Sequence, residues 1–217
     1  MADFDLYISD LGTYIGSFVE PACPRPYHLL SHSMGGNIAL RYLGGHRHDF
    51  SSAIFSAPMW GIGQTARPHP LVRAFAALTN AWGLGSLYVP GAGGDFGERS
   101  RRFEGNPLTG DRARFERAIA QIDADPRLAL GGPTLGWLRQ AIESMDVVHA
   151  PGFPESVRTR IWVFSAGDDA LVSLDAQAGI VERLQDARQI VIEGAQHELL
   201  MEKDSIRDRV LAVFEQL

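Results

Sequence analysis

Three residue types stand in this 217-residue sequence in the order that nucleophilic acyl transfer needs. Ser33 lies in Ser31-His32-Ser33-Met34-Gly35-Gly36, between an apolar run, Tyr27-His28-Leu29-Leu30, and a helix-forming run, Asn37 to Leu43. A tight strand-to-helix turn of that kind holds a serine in a strained backbone conformation with its hydroxyl exposed. Small residues two positions either side let strand and helix approach closely. Ser31 and Gly35 fill those positions, so the strict Gly-x-Ser-x-Gly pattern is missed by one residue. Serine is a poor nucleophile until a base takes its proton, and the base needs a third group to fix its tautomer. On this kind of turn the partners follow in the order acid, then histidine. Asp168 and Asp169 follow the apolar run Arg160 to Ser165, and His197 follows Gln189 to Glu193. Both places are the carboxyl ends of expected strands, where the sites of open parallel sheets lie. Asp169 is preferred as the acid because Leu171-Val172 follows it at the usual spacing. Asp168 is the alternative, otherwise capping the turn or facing solvent.

Other reactive types fit chemistry less well. His32 sits inside the turn and is expected to face the helix side. His46 and His48 form a His-x-His pair without a third ligand of convincing type, so no metal is expected. Gly91-Ala92-Gly93-Gly94 lacks a following Lys-Ser/Thr pair and reads as a flexible loop, not a phosphate cradle. No cofactor is expected. Cys23, the only cysteine, sits in a Pro-rich turn, and a lone cysteine suits a reducing compartment, here the cytoplasm. The net charge of −6 argues against nucleic acid as partner. Met1 to Asp5 does not open like a signal peptide, and no run of about 18 apolar residues exists.

These residues need a scaffold. Phe4, Tyr7, Leu11, Tyr14, Ile15 and Phe18 recur at helical spacing and predict an amphipathic helix over 4–19. Strands are predicted at Tyr27-Leu30, Ser52-Pro58, Arg160-Ser165 and Gln189-Glu193, with a helix after Ser33 stopping at Gly44-Gly45 and a final helix over 203–217. Alternation of strand and helix predicts an α/β fold with a parallel sheet of about four strands. The alternation breaks between Pro58 and about Ser156. The expected organisation is therefore a core of residues 1–57 and 156–217, with residues 58–155 as a helical cap inserted over a site.

Ser33-Met34-Gly35-Gly36, the loop Gly167-Asp168-Asp169-Ala170-Leu171-Val172 and the run His197-Glu198-Leu199-Leu200 together resemble the α/β-hydrolases. More narrowly they resemble the bacterial lysophospholipase and monoacylglycerol lipase group. Asn106-Pro107-Leu108-Thr109-x-Asp111 and Gly131 to Leu138 look like cap segments of that group. The resemblance implies a serine carboxylic-ester hydrolase. Ser33 would attack an ester carbonyl, His197 would act as base and then acid, and Asp169 would orient the imidazole. The Met34 backbone N–H would help hold the oxyanion. It implies a single-chain lipid ester as substrate and transient contact of the cap with a membrane surface. Trp60, Phe75, Trp82, Tyr88 and Trp137 would line an acyl groove or fill the cap's core. Proline-type aminopeptidases of the same superfamily share the triad and a helical cap. The group's members carry further strands and a His-Gly oxyanion loop ahead of the first helix seen here. The resemblance thus implies the C-terminal portion of the fold, with the elbow strand at the sheet edge. One oxyanion donor of two would lower activity roughly 100- to 1000-fold. It leaves an inactive remnant, or a subunit needing an N-terminal partner, as the alternative.

Overall fold

The computed structural model describes residues 3–63, 70–94 and 97–215, with Glu98 and Arg99 described by their backbone alone. Four parallel strands, β1 (Tyr27–His32), β2 (Phe50–Ser56), β3 (Arg160–Ala166) and β4 (Ala187–Ile192), lie side by side in chain order. Leu30 stands opposite Ile54, Ile54 opposite Trp162, and Trp162 opposite Arg188. β1 is an edge of this sheet. Side chains of the central strands β2 and β3 alternate between two covered faces, which is why those strands read as near-continuous apolar runs. Phe55, Ile161 and Val163 pack with Leu40, Leu43 and Ile180 on one face. Ile54, Phe164 and Ile192 pack with Leu199, Val210 and Val213 on the other.

The helices are α1 (Asp5–Tyr14), α2 (Glu20–Ala22), α3 (Met34–Gly45), α4 (Pro70–Ala81), α5 (Arg112–Ala124), α6 (Leu135–His149), α7 (Phe153–Ser156), α8 (Leu174–Val181) and α9 (Asp204–Phe214). α1 continues through one π-helical segment, Ile15–Val19, directly into α2, so the expected first helix runs three residues further than its periodicity. α9 ends at Phe214, and the expected last two residues of that helix lie outside the described residues. α4 to α7 fill the stretch between β2 and β3. Two motifs in that stretch are helix starts. The Asp111 carboxylate accepts the Arg114 N–H at 3.0 Å and begins α5, and the Thr134 hydroxyl accepts the Trp137 N–H at 3.2 Å and begins α6. Ala141, Ile142 and Met145 of α6 share a buried cluster with Phe4 and Ile8 of α1, Ile38 and Tyr42 of α3, and Ala76 of α4. Among the described residues no helix is long and apolar enough to cross a membrane.

Candidate active site

The turn between β1 and α3 is strained at one residue. Ser33 has φ 50° and ψ −121°, a conformation that costs an L-residue about 1–3 kcal/mol and persists only where its surroundings impose it. Those surroundings are hydrogen bonds. The Ser33 N–H donates to the Ser56 carbonyl at 3.1 Å, and the Ser33 carbonyl accepts from Gly36 and Met59, both at 2.9 Å. The segment after β2 that supplies Met59 has its own positive φ at Ala57 (43°). Buried side chains fix it: Asn37 donates to the Met59 carbonyl at 3.2 Å, Gln177 to the Pro58 carbonyl at 3.1 Å, and Trp60 to the Gly36 carbonyl at 3.2 Å. The close approach falls on Gly36, not on Gly35. A Cβ on Gly36 would lie 2.6 Å from the Pro58 Cβ, whereas one on Gly35 would meet nothing within 4 Å. The sequence pattern had assigned that demand to Gly35. The difference arises because the crossing chain, residues 57–60, passes α3 one residue further along.

Two loops carry the partners. Gly167 lies so close to the next loop that a Cβ there would sit 3.0 Å from the Glu193 Cα, and the Asp168 N–H donates to the Ala195 carbonyl at 2.9 Å. The acid loop after β3 and the histidine loop after β4 are thereby held against each other. Asp168 is exposed. Asp169 is buried, and its Oδ1 accepts the N–H groups of Leu171 (2.8 Å) and Val172 (3.0 Å). Its Oδ2 lies 2.7 Å from Nδ1 of buried His197, whose Nε2 lies 2.9 Å from the Ser33 Oγ. Ser33, His197 and Asp169 thus form one chain of contacts, with Asp169 and not Asp168 at its end. Met34 is the first residue of α3, so its N–H is among the first-turn donors that lack an intrahelical acceptor.

His32 does not face the helix as expected. It ends β1, its Nδ1 contacts the Ser56 carbonyl at 3.0 Å, and its ring lies 4.8 Å from that of His197. Its Nε2 is 3.3 Å from a carboxylate oxygen of Glu198. Burial pushes Glu198 upward, but the contact with His32 and the charges of His32 and His197 outweigh it, holding the carboxyl below the ordinary glutamate value. His46 stacks on Tyr42 at 4.9 Å, and His48 accepts the Phe50 N–H at 3.2 Å.

Beside Glu198 opens a cavity of about 720 Å³ whose walls include Leu108, Phe115, Ile119, Ile122 and Met201. None of the five aromatics expected to line a groove is among its lining residues. Trp60 is fully buried beneath Gly36, and Trp137 sets its indole N–H 3.4 Å from the Met34 sulfur. Phe75, Trp82 and Tyr88 are exposed.

The family model described as "Serine aminopeptidase, S33" matches residues 1–204. The chain is 29% identical over 210 residues to a probable lysophospholipase L2 of Haemophilus influenzae, covering 96% of this chain and 64% of that protein. It is 29% identical over 228 residues to the lysophospholipase L2 of Escherichia coli K12, covering 96% and 62%. It therefore spans a little under two thirds of the length of these curated relatives. Among solved structures, a soluble variant of the Saccharomyces cerevisiae monoglyceride lipase, in complex with a substrate analog, superposes with a TM-score of 0.75 at 18% identity, covering 100% of this chain and 69% of that one. The monoacylglycerol lipase of Paleococcus ferrophilus gives 0.68 at 17%, covering 96% and 74%. With its sheet and elbow geometry, the match over nearly its whole length places the chain in the serine aminopeptidase S33 family of α/β-hydrolases.

Proposed function

We propose that this chain carries the catalytic triad of a serine carboxylic-ester hydrolase acting on single-chain lipid esters such as lysophospholipids or monoacylglycerols. The contact chain Ser33 Oγ to His197 Nε2 (2.9 Å) and His197 Nδ1 to Asp169 (2.7 Å) carries this reading. His197 takes the Ser33 proton as the hydroxyl oxygen attacks the ester carbonyl, and Asp169 holds the resulting imidazolium. The Met34 N–H stabilises the oxyanion at the positive end of α3. His197 then gives the proton to the leaving alcohol, and water, activated by the same imidazole, releases the fatty acid from Ser33. The relatives' description as lysophospholipases and the cavity lined by Leu108, Phe115, Ile119, Ile122 and Glu198, the residue that follows His197, support a fatty acyl group. Leu71, Phe75 and Leu78 stand exposed on α4 at helical spacing, with exposed Trp82 in the turn directly after it, which supports contact of the 58–155 cap with a lipid surface.

The test offers the purified protein a lysophospholipid, a monoacylglycerol and a prolyl anilide. The expected result is release of fatty acid from the first two, abolished in Ser33→Ala, and no cleavage of the anilide. Fatty-acid release that survives Ser33→Ala would overturn the triad. Cleavage confined to the anilide would replace the esterase with a peptidase.

A further inference from the structure

His197 sits on a loop beyond β4, outside the sheet's hydrogen-bond ladder, so something else must fix its backbone. The neighbour that does so is the turn before α5. The His197 N–H donates to the Pro107 carbonyl at 3.4 Å and the Glu198 N–H to the Leu108 carbonyl at 2.7 Å. The Thr109 hydroxyl donates to the Met201 carbonyl at 2.8 Å. Asn106 shapes that turn from within, its Oδ1 accepting the N–H groups of Leu108 and Thr109 at 2.9 and 3.0 Å.

At the centre of this seam lies Glu202, fully buried. Its Oε1 accepts the Gly110 N–H from one side and the Gln196 N–H from the other, both at 2.9 Å, and its Oε2 lies 3.3 Å from the Lys203 N–H. Gly110 packs tightly there, since a Cβ would approach Oε2 to 3.2 Å. A carboxylate that gives up water for backbone donors is expensive unless each oxygen is satisfied, and hydrogen bonds to a charged acceptor are the stronger kind. The bond to Gln196 reaches the residue directly before the base.

We propose that Glu202 is a positioning residue for His197. Its carboxylate locks the turn of residues 106–111, part of the stretch between β2 and β3, to the loop that presents the imidazole. Movement of that stretch is thereby transmitted to the base. This rests on His197 acting as the base of Ser33. A shift of about 1 Å in a reacting group can cost on the order of 100-fold in rate.

The experiment follows the rate of Ser33 phosphonylation by a fluorophosphonate probe in wild type, Glu202→Ala, Glu202→Gln and His197→Gln. Proton NMR of the imidazole N–H facing Asp169 and thermal melting accompany it. Glu202→Ala is expected to remain folded, to label at least tenfold more slowly and to lose the sharp downfield N–H resonance. Glu202→Gln keeps an oxygen for Gly110 and Gln196 and is expected to recover most of the rate and the resonance, an outcome that loss of bulk alone does not produce. If Glu202→Ala does not fold, Glu202→Asp, whose shorter side chain draws the carboxylate back from the Gly110 and Gln196 N–H groups, takes its place with the same expectation. A folded Glu202→Ala, or Glu202→Asp in its stead, with wild-type rate and resonance overturns the proposal. Labelling of His197→Gln at the wild-type rate would instead remove the triad, and the clamp's catalytic purpose with it. Should wild type not label, the resonance alone decides: its loss in Glu202→Ala supports the clamp, and its persistence rejects it.

Discussion

Asp169→Asn is expected to slow ester turnover by about 10,000-fold while leaving the melting temperature within a few degrees of wild type. The reason lies in what each carboxylate oxygen already does. Oδ1 accepts two backbone N–H groups, from Leu171 and Val172, and Oδ2 faces His197 Nδ1. An asparagine that keeps its oxygen on the two N–H groups turns its NH₂ towards Nδ1. The ring proton is then driven to Nε2, where it points at Ser33 and cannot take the serine proton. An asparagine flipped the other way sets its NH₂ against two N–H donors in a buried site, which leaves them unpaired. Asp168→Asn is the control. Asp168 is exposed, so turnover should change less than about twofold. Steady-state turnover of a soluble monoacyl ester by the two variants checks the pair. Comparable losses at both positions would mean that the acid has been assigned wrongly.

Gly36→Ala is expected to destabilise the protein by about 2 kcal/mol and to remove most of its activity. In an exposed helix the same change would stabilise by up to about 1 kcal/mol. Here the new Cβ meets the Pro58 Cβ at 2.6 Å and the Pro58 Cα at 3.0 Å, in a ring and backbone that cannot swing aside. Overpacking of this kind costs about 1–3 kcal/mol. Relief by moving Pro58 would disturb the Met59 to Ser33 bond and the Gln177 and Trp60 contacts that impose the serine's strained backbone. Gly35→Ala, with open space around it, should be neutral or slightly stabilising. Urea unfolding of the two variants separates them. Equal stability would mean that the α3 crossing over residues 57–60 is looser than its contacts indicate.

Much of the site could be read before the fold was known. The two central strands, β2 and β3, are buried on both faces and appear as apolar runs, and β1 and β4 carry enough apolar residues to be read with them. Serine, acid and histidine fall just beyond three of those runs. What the sequence hid has physical causes. α8, Leu174-Asp175-Ala176-Gln177-Ala178-Gly179-Ile180-Val181, buries Ala176 and Gln177 along with Ile180, so its inner face does not stand out as apolar. Its one local signal was Ser173, whose hydroxyl accepts the Ala176 N–H at 3.2 Å. Gln177 and Glu202 look like solvent-facing residues, because hydrophobic patterning places polar side chains outside. Gln177 reaches the Pro58 carbonyl and Glu202 the Gly110 N–H, both in distant segments, which no local pattern encodes. His32 was misplaced for a related reason. Its direction is set by the alternation of β1 and by Ser56 opposite it, not by the helix that follows.

The central claim is that Ser33 is activated by His197. Intact-mass analysis after brief treatment with a fluorophosphonate tests it most directly. One phosphonyl adduct, located to the Ser33 peptide and lost in Ser33→Ala and in His197→Gln, is the expected result. A folded wild-type protein that takes up no adduct, or an adduct that survives the His197→Gln substitution unchanged, would contradict it.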